Sequence, residues 1–141
     1  MKKLALYIKM VFLFSLLLSS VATAGELVVI VNNANDNVVN KNLVAKIYTG
    51  SMSSWPGGGR VMAIDLPEGN ALRTAFSQNI VGKSVSALKT LWSQNIFTGK
   101  AIPPKVVETD EDVVGIVAKN KNAIGYVNAS SLKDGVKIAV K

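Results

Sequence analysis

Apolar residues along the chain come in short blocks separated by Gly, Pro and Asn, and the spacing inside each block changes from one to the next. Glu26 to Asn32 carries the unbroken run Val28-Val29-Ile30-Val31, which predicts a strand buried on both faces, as in a parallel sheet. Asn32 to Asn40 is an Asn-rich loop able to supply a helix cap. From Asn40 to Tyr48 the period lengthens: Leu43, Val44 and Ile47 share one helical face, Lys41 and Lys46 the other, and Gly50 ends the helix. Ser51 to Arg60 is a turn. Val61 to Ile64 predicts a second buried strand, Asp65 to Gly69 a Pro/Gly loop, and Asn70 to Val81 a helix with Leu72, Ala75, Phe76 and Ile80 inward, stopped by Gly82. Ser84 caps a further helix to Phe97, with Val85, Leu88, Leu91, Trp92 and Ile96 inward. Pro103-Pro104 forbids helix through the next loop. Lys105 to Glu108 is a short strand, Thr109 caps a helix to Lys119, and Ala123 to Val127 and Val136 to Val140 are strands. The order β-α-β-α-α-β-α-β-β predicts an α/β layered domain whose sheet is mainly parallel and flanked by helices.

The beginning of the chain stands apart. Lys2, Lys3 and Lys9 precede or flank an apolar run from Val11 to Val21, and Ala22-Thr23-Ala24 follows. A basic start, a short apolar stretch and a small-x-small end form a secretory signal peptide, with cleavage expected after Ala24 and a periplasmic address for residues 25–141. The stretch is short for a membrane span, and no Cys follows it as in a lipoprotein. With the three lysines gone, the whole-chain charge of +7 falls to +4. The remaining lysines are scattered singly, which argues against nucleic acid as a partner. The chain has no His and no Cys. Histidine bases, thiol nucleophiles and the commonest zinc and copper ligands are therefore excluded, so we expect no enzyme, no metal and no cofactor.

Four features carry candidate chemistry. The glycine run in SMSSWPGGGR (Ser51 to Arg60) precedes a strand and lacks a following Lys-Ser/Thr, so a flexible connection is favoured over a phosphate cradle. Trp55 is expected to pack on a helix end more readily than to serve as a ligand platform. Asp110, Glu111 and Asp112 are consecutive at a helix start, where the dipole favours them, and lack the spacing of a calcium loop. The stretch VMAIDLPEGNALRTAF (Val61 to Phe76) is strand, loop and helix start, the usual place for an anion in an α/β protein, because the first-turn N–H groups have no partner within the helix.

Several segments, taken in order, resemble the second lobe of phosphate-type solute-binding proteins of ABC transporters, which have the type II periplasmic binding fold. They are LVAKIYTGSMSSWPGG (Leu43 to Gly58), VMAIDLPEGNALRTAF, LWSQNIFTGKAIPP (Leu91 to Pro104) and VVGIVAKNKNAIGYV (Val113 to Val127). ELVVIVNNAN is similar to the strand by which such proteins cross between lobes. The resemblance covers nearly all of residues 25–141 and implies a single lobe of that fold. It also implies phosphate or a similar oxyanion as ligand and an ABC transporter permease as partner.

Two departures accompany it. Family members hold solute between two lobes, and this chain has one lobe's worth of sequence, which more nearly resembles short, single-lobe secreted proteins grouped with phosphate-transporter binding proteins. The family's Arg-Ser-Asp-Gly-Ser-Gly-Thr ligand run is also altered, since the Arg and the hydroxyls are replaced. Glu68 keeps the acid and Gly69 the glycine, Asn70 is the one polar donor, and Arg73 follows a helical step later. The candidate oxyanion residues are therefore Gly69, Asn70 and Arg73, with Glu68 and Asp65 shaping selectivity. Three alternatives stay open: a site in the monomer, a site completed by a second copy (a homodimer) or another envelope protein, and no small-ligand site. In the last case the loop face, with Trp55, docks on an envelope partner as part of an accessory or sensor-input module.

Overall fold

The β-branched run Val28 to Val31 is buried throughout and forms the middle of β1 (Leu27–Asn32). The computed structural model describes residues 25–141, so the signal-peptide reading of residues 1–24 lies outside the described residues. β1 pairs antiparallel with both β4 (Ala123–Asn128) and β5 (Val136–Val140). β2 (Met62–Asp65) runs parallel to β4 and to the two-residue β3 (Lys105–Val106), giving the order β3-β2-β4-β1-β5. All strands but β1 therefore share one direction. The mainly parallel sheet holds in that sense, but the parallel pairing expected of β1 does not. An unbroken apolar run reports burial on two faces and carries no information about polarity.

Both faces are covered because neighbouring residues of β4 point to opposite sides. A Cβ on Gly125 would run into Val113 Cγ1, so α4 (Asp110–Lys119) lies against one face. Tyr126, the next residue, packs on the other face against Tyr48 of α1 (Lys41–Tyr48) and Phe76 of α2 (Ala71–Phe76). The Asn32 amide fixes β1 to α4 by donating to the carbonyls of Val117 (2.9 Å) and Ala118 (3.0 Å) in the last turn of that helix.

The helix starts follow the sequence. Asn40 accepts from Leu43 N, Ser84 from Ala87 N, and Thr109 and Asp112 form a reciprocal capping box. Among the described residues no acidic cluster is arranged to hold a metal ion. Nor is any helix there long and apolar enough to cross a membrane.

Three expectations are corrected. The helix expected from Asn70 to Val81 is α2 followed by a π turn, Ser77–Val81. Phe76, Ser77, Ile80 and Val81 all face inward, a spacing that an ordinary helical face shares, so the apolar period does not distinguish the wider turn from a continued α-helix. In α3 (Val85–Phe97), Ile96 is 56% exposed and the inward position is Asn95. Asn95 donates to Thr49 O (3.1 Å) and Trp92 Nε1 to Tyr48 O (2.9 Å), so α3 meets the carbonyl end of α1. The need of those carbonyls for donors overrides the apolar period. β2 is fully buried only at Ile64, and β3 stops at Val106, because the sheet ends there and the start of β2 lacks cover.

The remaining candidates resolve as packing. Trp55 is buried with its Nε1 donating to Asn122 O (3.0 Å), so it forms neither a platform nor part of a docking face. The glycine run folds onto itself: Gly58 N donates to Trp55 O, Trp55 N to Gly59 O, and Gly57 N to Asn37 Oδ1.

At the centre sits an aromatic trio. Phe76 and Tyr126 stack at 3.8 Å between centroids, and Tyr48 meets Phe76 edge-on at 4.7 Å. The Tyr48 hydroxyl donates to Ile64 O (2.7 Å), and that of Tyr126 to Asp65 Oδ1. Burial first, and then the Asp65 charge, push both phenols well above the ordinary tyrosine range. A raised folded-state pKa means that only the unfolded chain ionises near pH 10, so these tyrosines contribute fully below that pH and the fold weakens above it. We predict that Tyr126→Phe lowers stability by about 1–3 kcal/mol at neutral pH, by leaving the Asp65 oxygen short of a donor. The gap to the unmodified protein should narrow above about pH 10, as urea unfolding at the two pH values will measure. A gap independent of pH would contradict the burial of this phenol beside a carboxylate.

Candidate functional site

β2 ends on Asp65, and the chain then turns through Leu66, Pro67, Glu68 and Gly69 into the N-cap Asn70. Asp65 belongs to the strand and not to the loop as expected. Leu66 is fully buried and anchors the turn, while Gly69 takes φ +84°, a conformation a residue with a Cβ adopts at a cost. Nothing lies within 4 Å of where a Gly69 Cβ would be, so the glycine is required by the backbone and not by packing.

Asp65 and Arg73 face each other across this turn. Arg73 Nη2 is 3.5 Å from Asp65 Oδ2, and the two side chains are 13% and 12% exposed. Arg73 Nη1 donates to Leu66 O (3.0 Å). Asp65 Oδ1 accepts from Leu66 N (2.9 Å) and from the Tyr126 hydroxyl. The pair thus spans strand end, loop and helix, and each charge is satisfied mainly within the fold. Breaking such a pair on one side leaves a buried charge without compensation, which costs about 3–5 kcal/mol. One donor is left over: Arg73 Nε is buried and has no partner.

The helix start is capped from within. Asn70 Oδ1 accepts from Leu72 N (2.8 Å) and Arg73 N (3.2 Å), and Asn70 N donates to Pro67 O (3.1 Å). What remains at the tip is the Asn70 amide together with the N–H groups of Gly69 and Ala71. Glu68 is exposed, 3.5 Å from Lys89 Nζ, in a surface pair of small energetic weight. Gly69 and the half-buried Asn70 therefore form a polar tip with exposed Glu68 beside it, and Asp65 and Arg73 form a nearly neutral, largely buried base. The sequence reading did not identify Tyr126 or the Leu66 carbonyl as members of this network. The signal for Tyr126 was a phenol inside the buried run AIGYV, since a buried hydroxyl needs a partner.

No family model matches the chain, and no curated protein matches it. Solved structures do. The chain is similar to a substrate-binding protein of Clostridium perfringens ascribed to phosphate ABC transport and carrying bound phosphate, with TM-score 0.64 and 22% identity over 83% of this chain and 46% of that one. It is also similar to an ABC-type phosphate transport receptor of Vibrio cholerae, with TM-score 0.60 and 17% identity over 81% of this chain and 45% of that one. PstS of Borrelia burgdorferi gives TM-score 0.61 and 15% identity over 82% and 47%. The chain spans less than half the length of each of these proteins. At these identities the similarity establishes the fold. Residues 25–141 have the α/β fold shared by part of the phosphate ABC transporter substrate-binding proteins, a five-stranded sheet flanked by four helices.

Proposed function

We propose that the protein is a periplasmic solute-binding module that presents half of an oxyanion site on the Asp65 to Arg73 turn, for completion by a second protein surface in uptake through an ABC transporter. The observation that carries this reading is the fold similarity to phosphate-binding proteins of which this chain spans less than half. A ligand held in a cleft needs a second wall. At the tip, Gly69 and Asn70 offer outward donors, and Arg73 lies behind them with its charge largely balanced by Asp65. Glu68 beside the tip disfavours a dianion and selects for a species that donates a proton. The tip alone supplies a helix start worth about 0.3–1 kcal/mol and one or two charge-assisted bonds, which corresponds to a millimolar Kd.

A second reading has its own observation. The guanidinium of Arg73 is engaged by Asp65 and Leu66, and Asn70 caps its own helix. A turn whose guanidinium is engaged through both terminal nitrogens within the fold suits protein docking without a small ligand.

Calorimetry of residues 25–141 with phosphate and sulfate separates the two. The first reading predicts saturable heat, with affinity rising at protein concentrations that favour self-association. It also predicts that Asn70→Asp abolishes binding while keeping stability, since Asp caps as well as Asn but repels an anion. Arg73→Ala should weaken both binding and stability. Absence of heat with either anion at any concentration would overturn the oxyanion site, and a stoichiometric envelope partner lost on altering Glu68 and Asn70 would then establish docking.

A further inference from the structure

A cavity of about 400 Å³ opens where the end of α1, α3, the start of β2, β3 and the loop before β3 come together. It lies at the other end of β2 from the turn described above. Val61, Met62 and Ala63 line it, and none of Asp65, Glu68, Gly69, Asn70 and Arg73 does. Its volume is in the range of small-molecule sites, which are mostly apolar with a few placed polar groups.

The walls are built in advance. Trp92 is fixed by its Nε1 bond to Tyr48 O, and one turn further on Asn95 holds the helix to Thr49 O. Met52 and Met62 supply adaptable surface. At the mouth, Met62 and Ile102 are 42% and 68% exposed, so apolar area is left uncovered where a ligand chain would lie. The only charged residues in the lining are Arg60 and Lys105, both basic, and neither enters an ion pair among the described residues. No Asp or Glu occurs in sequence between Glu68 and Glu108, the segment that supplies α3 and the loop before β3.

We propose that this cavity binds a single-chain amphiphilic anion, a fatty carboxylate. Its chain lies along Trp92, Met52 and Ile102, and its carboxylate is held at the mouth by Arg60 and Lys105. The Arg fork matches a carboxylate in geometry and charge. An apolar groove whose rim bears cations and no acid selects an amphiphile by head-group sign. This site shares no residue with the oxyanion turn, so either proposal stands if the other fails.

The test follows tryptophan emission of residues 25–141 during titration with dodecanoate below its micelle concentration. Trp92 lines the cavity and Trp55, buried elsewhere, does not, so a saturable one-to-one change is expected, and Trp92→Phe should remove it. Arg60→Gln and Lys105→Gln alter exposed side chains and leave the fold intact. Each should weaken binding about tenfold, the effect of losing one bond to a charged group. Dodecyltrimethylammonium should bind far more weakly, Ala101→Phe should fill the cavity and block dodecanoate, and inorganic phosphate should not compete. Equal binding of the two detergents, or indifference to both Gln variants, would overturn the proposal. So would sedimentation with anionic phospholipid vesicles without any response to monomeric dodecanoate, which would make this face a membrane contact.

Discussion

The carboxylate of Asp65 is the point on which the molecule turns. It stands at the last residue of β2 and accepts from the Tyr126 hydroxyl and Leu66 N while facing the Arg73 guanidinium. Four segments thereby hold one another: β2 and β4 through Asp65 and Tyr126, and the loop and α2 through Leu66 and Arg73. Taking a carboxylate out of water is costly, and a charge partner with several hydrogen bonds offsets that cost where one bond would not. The arrangement fixes the turn in one shape and withdraws its strongest cation from solvent.

The same logic of satisfying polar groups shapes the packing elsewhere. Asn32 serves the carbonyl end of α4, while Asn95 and Trp92 serve that of α1. These amides and the indole sit where an apolar side chain would pack as well but would leave carbonyls unpaired. They tie the end of α4 to β1 and the end of α1 to α3, and Trp92 so held forms one wall of the basic-rimmed cavity.

Much of this was legible in the sequence. The caps Asn40, Ser84 and Thr109 follow from residue type and spacing, and the order of strands and helices follows from the change of apolar period. The polarity of β1 was not legible, because a run buried on both faces reads alike in either direction. The π turn escaped because its inward set, Phe76, Ser77, Ile80 and Val81, also fits an ordinary helical face, and Ile96 misled because the inward position was given to an amide one residue earlier. The site was legible as a location and less so as chemistry. Gly69 and Asn70 announce a turn and a cap, but the partner that immobilises Asp65 lies 61 residues away in sequence and is reached only through the sheet.

The central claim is that Asp65 and Arg73 act as one buried unit. A double-mutant cycle with Asp65→Asn and Arg73→Met, read by urea unfolding, tests it most directly. The account predicts a coupling energy of about 1–3 kcal/mol, with the double variant more stable than the two single losses added together. A coupling below about 0.5 kcal/mol, within the range of independent sites, would show that the two charges do not depend on each other and would contradict the account.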